Sequence, residues 1–305
     1  MKRLIVLLGV AGVSVSAILV RWSTAPSMVL AFYRMAMATV LLAPLTFYKN
    51  RQEFQALQRK DTLLCCVSGA FLGLHFAAYF ESLRWAPIAS AVVLVDTEVL
   101  FVALGTVLIL RRKLPRQAWL AVALAFCGSV IVAMVDTSAG ADVLKGDLIA
   151  LSGAFFMAVY TMIGAVCRRR LSTNVYTFLV YSVASIVLLV ICLAGGTPLT
   201  GHGSVNYLTG LGMAVFCTLL GHSVFSWGLK YLPPAFISTA KLLEPVFASV
   251  WGLFLFGEVP ALMTVLGGMV IISGIALYSR VSETQFRSEN DGRKSDACAH
   301  RAHER

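Results

Sequence analysis

Charged residues are scarce in this chain of 305 residues. Asp, Glu, Lys and Arg make up 13% of it, whereas hydrophobic residues make up 58%. Soluble globular domains carry about 25% charged residues. The scarcity of charge and the mean hydropathy of +0.81 argue against an ordinary soluble enzyme. They also argue against a disordered chain, because disorder requires low hydrophobicity and high net charge. The composition predicts a polytopic membrane protein.

Motifs that would bring a metal, a disulfide framework or a nucleotide are missing as well. The chain has seven cysteines, none of them in zinc-finger spacing, and most lie in or beside apolar runs. No Gly-rich stretch is followed by Lys-Ser or Lys-Thr, so no nucleotide is expected as a partner. We therefore expect no metal site, no cofactor and no catalytic residue.

Long apolar runs are what the sequence does have. A bilayer core needs about 20 apolar residues per helix. Ten candidate runs lie at 4–20, 28–47, 62–84, 87–110, 117–135, 148–167, 174–194, 206–229, 233–256 and 261–279. They lack the sustained alternation of barrel strands. The predicted fold class is an all-α polytopic membrane protein with ten transmembrane helices. The first run, after Met1-Lys2-Arg3, also has the pattern of a signal peptide, but the repeat described below requires it as a helix.

The placement of Lys and Arg predicts the orientation of these helices. With the N-terminus inside, 20 of the 25 basic residues fall at cytoplasmic positions, three in external loops and two within spans. Basic residues near helix ends stay cytoplasmic. The net charge of +10 is therefore a topology signal, and we expect membrane lipid as a partner and no nucleic acid. The prediction is an inner-membrane protein with both termini cytoplasmic and a disordered tail at 280–305.

The chain resembles itself at an offset of about 147 residues. Leu83-Arg84-Trp85-Ala86-Pro87 is similar to Leu229-Lys230-Tyr231-Leu232-Pro233 at an offset of 146, and an offset of 147 aligns His75 with His222. Each copy holds five spans, so the second enters the membrane from the opposite side. We predict two inverted repeats at 1–135 and 148–279, with an external linker at 136–147. Inverted repeats are the architecture of secondary transporters.

Three stretches resemble the EamA-type branch of the drug/metabolite transporter superfamily. They are the Pro-then-Arg stretch 25–34, the stretch 73–85 with His75 and Glu81, and the stretch 243–260 with Leu243-Glu244-Pro245. The resemblance covers residues 4–279. It implies ten helices in two inverted repeats and export of small metabolites such as amino acids. One departure is Asp96-Thr97-Glu98, where the family carries an uncharged stretch that ends in Pro.

Eight ionisable residues lie inside the predicted spans. A charge at the membrane centre costs about 3 kcal/mol on insertion scales, so such residues are functional candidates by default. They are Arg34, His75, Glu81, Asp96, Glu98, His222, Lys241 and Glu244. Arg34 and Glu81 both lie near the outer ends of their spans. We predict that they pair, either to fix packing or as an outer gate; alternatively, Arg34 anchors a substrate carboxylate.

The other charged candidates fall near mid-membrane, on the fourth and ninth spans. Lys241 and Glu244 are three residues apart and share a helix face, so they are one possible pair. If the two spans face each other, Lys241 meets Asp96 or Glu98 instead. Three carboxylates around one lysine leave an excess of negative charge. We hypothesise that this cluster binds a substrate ammonium or couples transport to protons; the alternative is a neutralised structural cluster.

The two histidines and two further candidates, Pro245 and Trp227, also have ordinary structural interpretations. Pro245 either kinks the ninth span or frees a carbonyl that lines a cavity. His75 and His222 either shuttle protons or form hydrogen bonds between helices. Trp227 lines a cavity or packs in the core.

The function predicted from these features is secondary export of a small-molecule substrate by alternating access, with protons as a hypothetical coupling ion. An uncoupled facilitator or exchanger is the alternative within transport. An intramembrane enzyme would need a nucleophile–base pair, and Gly221-His222-Ser223 is the nearest candidate. Adjacent helical residues do not face each other, so we expect no enzyme. A non-transporting scaffold is a third class, and it does not require charges at mid-membrane.

Overall fold

A computed structural model describes residues 1–86, 88–111, 113–133, 143–257 and 259–281. Most of the predicted tail at 280–305 and residues 136–142 of the predicted linker lie outside the described residues, as does Glu258. Residues 143–147 form the start of a helix. The predicted repeat boundaries remain a prediction.

The described residues form ten long helices. They are α1 Lys2–Arg21, α2 Ser27–Lys49, α3 Arg59–Ser82, α4 Ile88–Asp96 with Glu98–Leu108, α5 Arg116–Ala133, α6 Val143–Cys167, α7 Thr173–Ala194, α8 Ser204–Gly228, α9 Pro234–Lys241 with Glu244–Phe256, and α10 Leu262–Val281. Nine are long and apolar enough to cross a membrane, and α5 holds a shorter apolar stretch. The predicted fold class is confirmed, and each helix overlaps one predicted span.

Two details of these helices were not predicted. Both α4 and α9 are interrupted, at Thr97 and at Leu242-Leu243 respectively. At the offset of 147 residues, the two interruptions lie within two residues of each other. In addition, the middle of α8, Met213–His222, is a π-helix. Irregular backbone at membrane depth persists where it is buried in protein or lines a cavity, so these three places are where a site is expected.

The helices pack with the pairing that an inverted repeat requires. In the repeat, α1 to α5 correspond to α6 to α10 in order. The contact of α3 with α6 is matched by that of α8 with α1, and the contact of α3 with α7 is matched by that of α8 with α2. Helices α4 and α6 pair as α9 and α1 do. Three pairs join equivalent helices of the two halves, namely α2 with α7, α4 with α9, and α5 with α10. The two halves therefore share a long interface through the whole bundle.

One end of the bundle carries most of the basic residues, including Lys49, Arg59, Arg168 and Lys230, and we call it the basic end. There the α2–α3 connection is hydrogen-bonded to the α6–α7 connection. The Glu53 carboxylate accepts the backbone N–H of Ser172. Asn174 Nδ2 donates to Asn50 Oδ1 at 2.9 Å. These bonds tie the two halves together at this end.

The opposite end is closed by the equivalent connections. Asn206 Oδ1, at the start of α8, accepts from Ser23 Oγ at 2.7 Å and from the backbone N–H groups of Thr24 at 2.8 Å and Ala25 at 3.1 Å. Ala25 and Ser172 are 147 residues apart, so they occupy equivalent positions in the repeat. At each end, a side chain of one half accepts a hydrogen bond from a backbone N–H of the other half, and the two N–H groups are equivalent in the repeat.

Small residues allow the closest approach between α3 and α7. A Cβ at Gly69 would lie 2.5 Å from the Val180 carbonyl oxygen, whereas a Cβ at Gly153 would lie 3.4 Å from Ala78 Cβ. Membrane helices associate through such close backbone packing. The glycine at 69 is therefore required by a neighbouring backbone, and the glycine at 153 is not.

We expect Gly69→Ala to destabilise the purified protein and Gly153→Ala to leave its stability unchanged or raised. The first change forces two backbones apart, which costs about 1–3 kcal/mol, and the second adds a better helix former in ordinary contact. Thermal unfolding in detergent, followed by size-exclusion chromatography, measures both. Equal midpoints for the two variants would contradict the close α3–α7 packing.

Candidate functional site

A buried ion pair joins the two halves of the bundle. Lys241 Nζ donates to Glu98 Oε1 at 2.8 Å, and the exposed fractions of the two side chains are 12% and 7%. Lys241 ends the first segment of α9, and Glu98 begins the second segment of α4. Of the two arrangements predicted for Lys241, the contact across to α4 is the one that forms, and its partner is Glu98.

The interrupted helices orient these charges favourably. Lys241 lies in the last turn of its segment, where the helix dipole favours a cation. Glu98 and Glu244 each lie in the first turn of theirs, where it favours an anion. Pro245 is also in that first turn, where a backbone N–H is not needed. The sequence indicated a kink at Pro245; the structure has a break, and the Lys241 carbonyl lacks the N–H that position 245 would otherwise supply.

Asp96 lies on the unfavourable side of its interruption. It is the last residue of the first segment of α4, where the helix dipole opposes a negative charge. Ser129 Oγ of α5 donates to Asp96 Oδ2 at 2.6 Å. The like charges of Glu244 and Glu98 also act on it, as does the opposite charge of Lys241. Among the described residues, no basic side chain forms an ion pair with Asp96.

Arg34 is buried, with an exposed fraction of 3%. Its Nε donates to Thr218 Oγ1 at 2.8 Å, and its Nη2 donates to the Cys217 carbonyl at 3.3 Å. The guanidinium lies over the Phe76 ring, 4.8 Å from its centroid. Both hydrogen-bond acceptors belong to the π-helix of α8. Arg34 thus faces the interior and the second half of the bundle.

The predicted pair between Arg34 and Glu81 is wrong. Glu81 accepts from Arg84 Nη1 at 3.2 Å and from Trp85 Nε1 at 2.9 Å. These donors follow within four residues at the end of α3, so the carboxylate is satisfied locally. Arg34 is hydrogen-bonded to α8 instead.

The two equivalent histidines differ. His75 Nδ1 is 3.0 Å from the Gly153 carbonyl, and because a carbonyl only accepts, this nitrogen carries the hydrogen. His75 thereby forms a hydrogen bond between α3 and α6. His222 is equally buried, but its Nδ1 has no hydrogen-bond partner among the described residues. The adjacent Ser223 hydroxyl is bonded to Tyr181 and to the Thr218 carbonyl, so it is not paired with His222.

Trp227 lies near the basic end, away from these contacts. Its ring packs on Tyr231, with centroids 5.0 Å apart, and Lys2 Nζ lies 4.1 Å from the centroid of the same Tyr231 ring. Neither of these two contacts involves another predicted site residue.

Sequence analysis missed several residues that hold the predicted ones. Ser129, Cys217, Thr218 and Phe76 are small or apolar residues within apolar runs, where only their neighbours in space distinguish them. Arg168 lies between two predicted spans and counts among the basic residues expected in cytoplasmic connections, yet its exposed fraction is 2%. Its Nε donates to the Ser226 carbonyl at 2.9 Å, and its Nη2 to Thr173 Oγ1 at 2.7 Å. Burial lowers the pKa of Arg168 from its ordinary value.

We expect Arg168→Gln to lower the thermal unfolding midpoint, and Arg169→Gln to leave it unchanged. The first change leaves buried carbonyls of α8 and of the α6–α7 connection without their donor, which costs about 1–3 kcal/mol per group. Arg169 is exposed and serves as the matched control in the same run. An equal fall of the midpoint in both variants would show that the three arginines 168–170 stabilise the fold only through their positive charge.

Known proteins resemble this chain along nearly all of its length. An uncharacterized transporter from Archaeoglobus fulgidus is 25% identical over 253 residues, covering 81% of this chain and 86% of the relative. A pseudopaline exporter from Pseudomonas aeruginosa is 25% identical over 267 residues, covering 86% and 89%. A solved crystal structure superposes with a TM-score of 0.78 at 14% identity, covering 92% of this chain and 98% of the other. That last similarity concerns the fold alone.

The EamA-like transporter family matches the chain twice, at residues 2–134 and 144–280. Together the two matches cover the ten helices and leave out the connection between α5 and α6. The resemblance read from the sequence is confirmed. The chain is a multi-pass membrane protein that belongs to the EamA-like transporter family.

Proposed function

We propose that this protein is a secondary exporter of small metabolites, amino acids or related compounds, that works by alternating access. The ion pair between Lys241 and Glu98 carries the proposal, because it joins the interrupted helices of the two inverted halves. Interrupted helices at the repeat interface form the substrate and ion sites of many secondary transporters. Membership of a transporter family and a relative that exports pseudopaline support the direction of transport.

We infer that protons drive the export through the acidic cluster. Three carboxylates, those of Asp96, Glu98 and Glu244, lie at the interruptions of α4 and α9 beside one lysine, Lys241, so negative charge is in excess there. Asp96, which forms no ion pair, is the acceptor that a proton or a substrate ammonium would neutralise. If a proton and the substrate ammonium compete for the Asp96 carboxylate, export of substrate is coupled to import of protons.

Alternating access requires the two ends to open in turn. The bonds on Asn206 at one end and those around Glu53 at the basic end are both formed here, so the bundle is tied at both ends. We propose that the basic end faces the cytoplasm of the inner membrane, since 20 of the 25 basic residues lie at the predicted cytoplasmic positions.

The experiment that tests the function is uptake of pooled labelled amino acids into inside-out vesicles, with and without an acidic interior. Uptake above that of empty vesicles that depends on the acidic interior supports a proton-coupled exporter. Uptake that ignores the gradient supports the uncoupled facilitator. If no pooled amino acid is taken up, the proposed substrate class is wrong.

We expect Lys241→Met to reduce uptake at least tenfold. The change leaves the buried Glu98 carboxylate without its cation and removes the contact between the two halves. Lys230→Met is the control, because Lys230 is exposed at the basic end. The initial rate of uptake, normalised to folded protein by size-exclusion chromatography, is the measurement. Unaltered uptake in Lys241→Met would remove the ion pair from the mechanism.

We expect Asp96→Asn to abolish uptake driven by the pH gradient while exchange of internal for external substrate continues. A side chain that is always neutral retains a hydrogen-bond acceptor for Ser129 but releases no proton. Asp61→Asn is the control, since Asp61 lies near Arg170 at the basic end, 3.9 Å away. Gradient-driven uptake that survives in Asp96→Asn would exclude Asp96 as the coupling group.

A further inference from the structure

His222 has a ring nitrogen without a hydrogen-bond partner among the described residues, and the proposed role of the acidic cluster does not account for it. The exposed fraction of His222 is 5%, and its Nδ1 has no hydrogen-bond partner among the described residues. A buried polar group without a partner costs about 1–3 kcal/mol. His75, at the equivalent position of the other half, avoids this cost by bonding to Gly153. The difference indicates that Nδ1 of His222 serves a group that is bound only part of the time.

Arg34 is unusual in a related way. Buried cations are normally paired with an anion, yet among the described residues the only hydrogen-bond acceptors of Arg34 are a threonine hydroxyl and a backbone carbonyl. Its remaining nitrogen, Nη1, takes part in neither bond. The guanidinium is therefore held in a fixed orientation by neutral groups, with donor capacity left over.

These two side chains converge on one aromatic ring. Arg34 lies 4.8 Å from the Phe76 centroid, and the ring centroids of His222 and Phe76 are 5.7 Å apart. The residues that hold Arg34 and His222 itself belong to the same π-helix, a structure often found at functional sites. The charged or titratable groups acting on His222 are Arg34, Lys241 and His75, all of them basic. The carboxylate of Glu244 acts on Arg34. Positive charge therefore prevails around His222, which favours an anion there.

We propose that Arg34 and His222 form a carboxylate-binding site inside the bundle, with Phe76 as its apolar wall. The guanidinium supplies the charge and the planar donors that suit a carboxylate, and Nδ1–H of His222 donates to the second oxygen. The one permanent positive charge matches a monoanion, whereas a phosphate dianion would bury an uncompensated charge. That the carboxylate belongs to the transported metabolite rests on the proposed function; its ammonium would then be left for Glu244 and Asp96.

The test measures binding without transport, in the purified full-length protein. Propionate is the probe, propanamide is the matched neutral analogue, and inorganic phosphate and chloride are the competing anions at equal ionic strength. We expect propionate to raise the thermal unfolding midpoint by a few degrees in a saturable manner, and propanamide to leave it unchanged. We also expect propionate to shift the Nδ1 signal of His222 in nitrogen NMR of histidine-labelled protein, with that signal assigned by its loss in His222→Gln.

Two variants and one control distinguish this site from a structural role. Arg34→Lys and His222→Phe should each weaken propionate binding at least tenfold, while His202→Gln, at a half-buried histidine of the α7–α8 connection, should not. His222→Phe should also match or exceed the parent in stability without ligand, because it replaces an unpartnered polar ring beside Phe76 and Phe225. Stabilisation by phosphate or chloride equal to that by propionate would overturn the carboxylate assignment, and so would propionate binding that persists in both variants.

Failure of this site and failure of the proposed function give different results. Propionate binding without amino-acid uptake would leave the site standing and overturn the transport proposal for these substrates. Proton-dependent uptake with unchanged apparent affinity in His222→Phe would overturn the site and leave the exporter standing.

Discussion

The rest of the arrangement depends on one buried ion pair, between Lys241 and Glu98, inside a largely apolar bundle. Removing one partner of such a pair costs about 3–5 kcal/mol, because the other is left as an uncompensated charge. The interruptions in α4 and α9 make the pair tolerable, since each charge lies at the helix end whose dipole favours it. The same interruptions place Asp96 where the dipole opposes its charge, and so separate one carboxylate from the two that are stabilised.

The halves are alike in packing and unlike in chemistry. Equivalent helices make equivalent contacts, down to the backbone N–H groups of Ala25 and Ser172 that are held by a side chain of the other half. The interior does not obey this symmetry. His75 is bonded and His222 is not, and Lys241 of the second half has Leu94 as its counterpart at the same offset. A symmetric frame allows exchange between two orientations, whereas asymmetric side chains allow one substrate to be recognised with a defined polarity.

Anionic and cationic groups are segregated within this interior. Glu98, Glu244 and Asp96 lie at the interruptions of α4 and α9, while Arg34, His75 and His222 surround Phe76. Lys241 links the two regions, because it bonds Glu98 and also lies 5.7 Å from the centroid of Phe225, a ring that His222 contacts. A zwitterion fits such a division of charge better than an ion of either sign, and this is the chemical basis for the substrate class proposed above.

The sequence by itself determined the number and approximate ends of the helices, the inverted repeat and the family, because hydrophobic runs, basic clusters and a constant offset are local or periodic signals. It also identified the buried ionisable residues, since charge within an apolar run is visible in one dimension. Only the tertiary structure decided their partners. Lys241 bonds Glu98 and not Glu244, and Arg34 bonds α8 and not Glu81, because these choices depend on helix rotation and on where α4, α8 and α9 depart from regular helix. Arg168 shows the same limit. Its side chain bonds the Ser226 carbonyl, 58 residues away in the chain, and nothing in a run of three arginines indicates which one is buried.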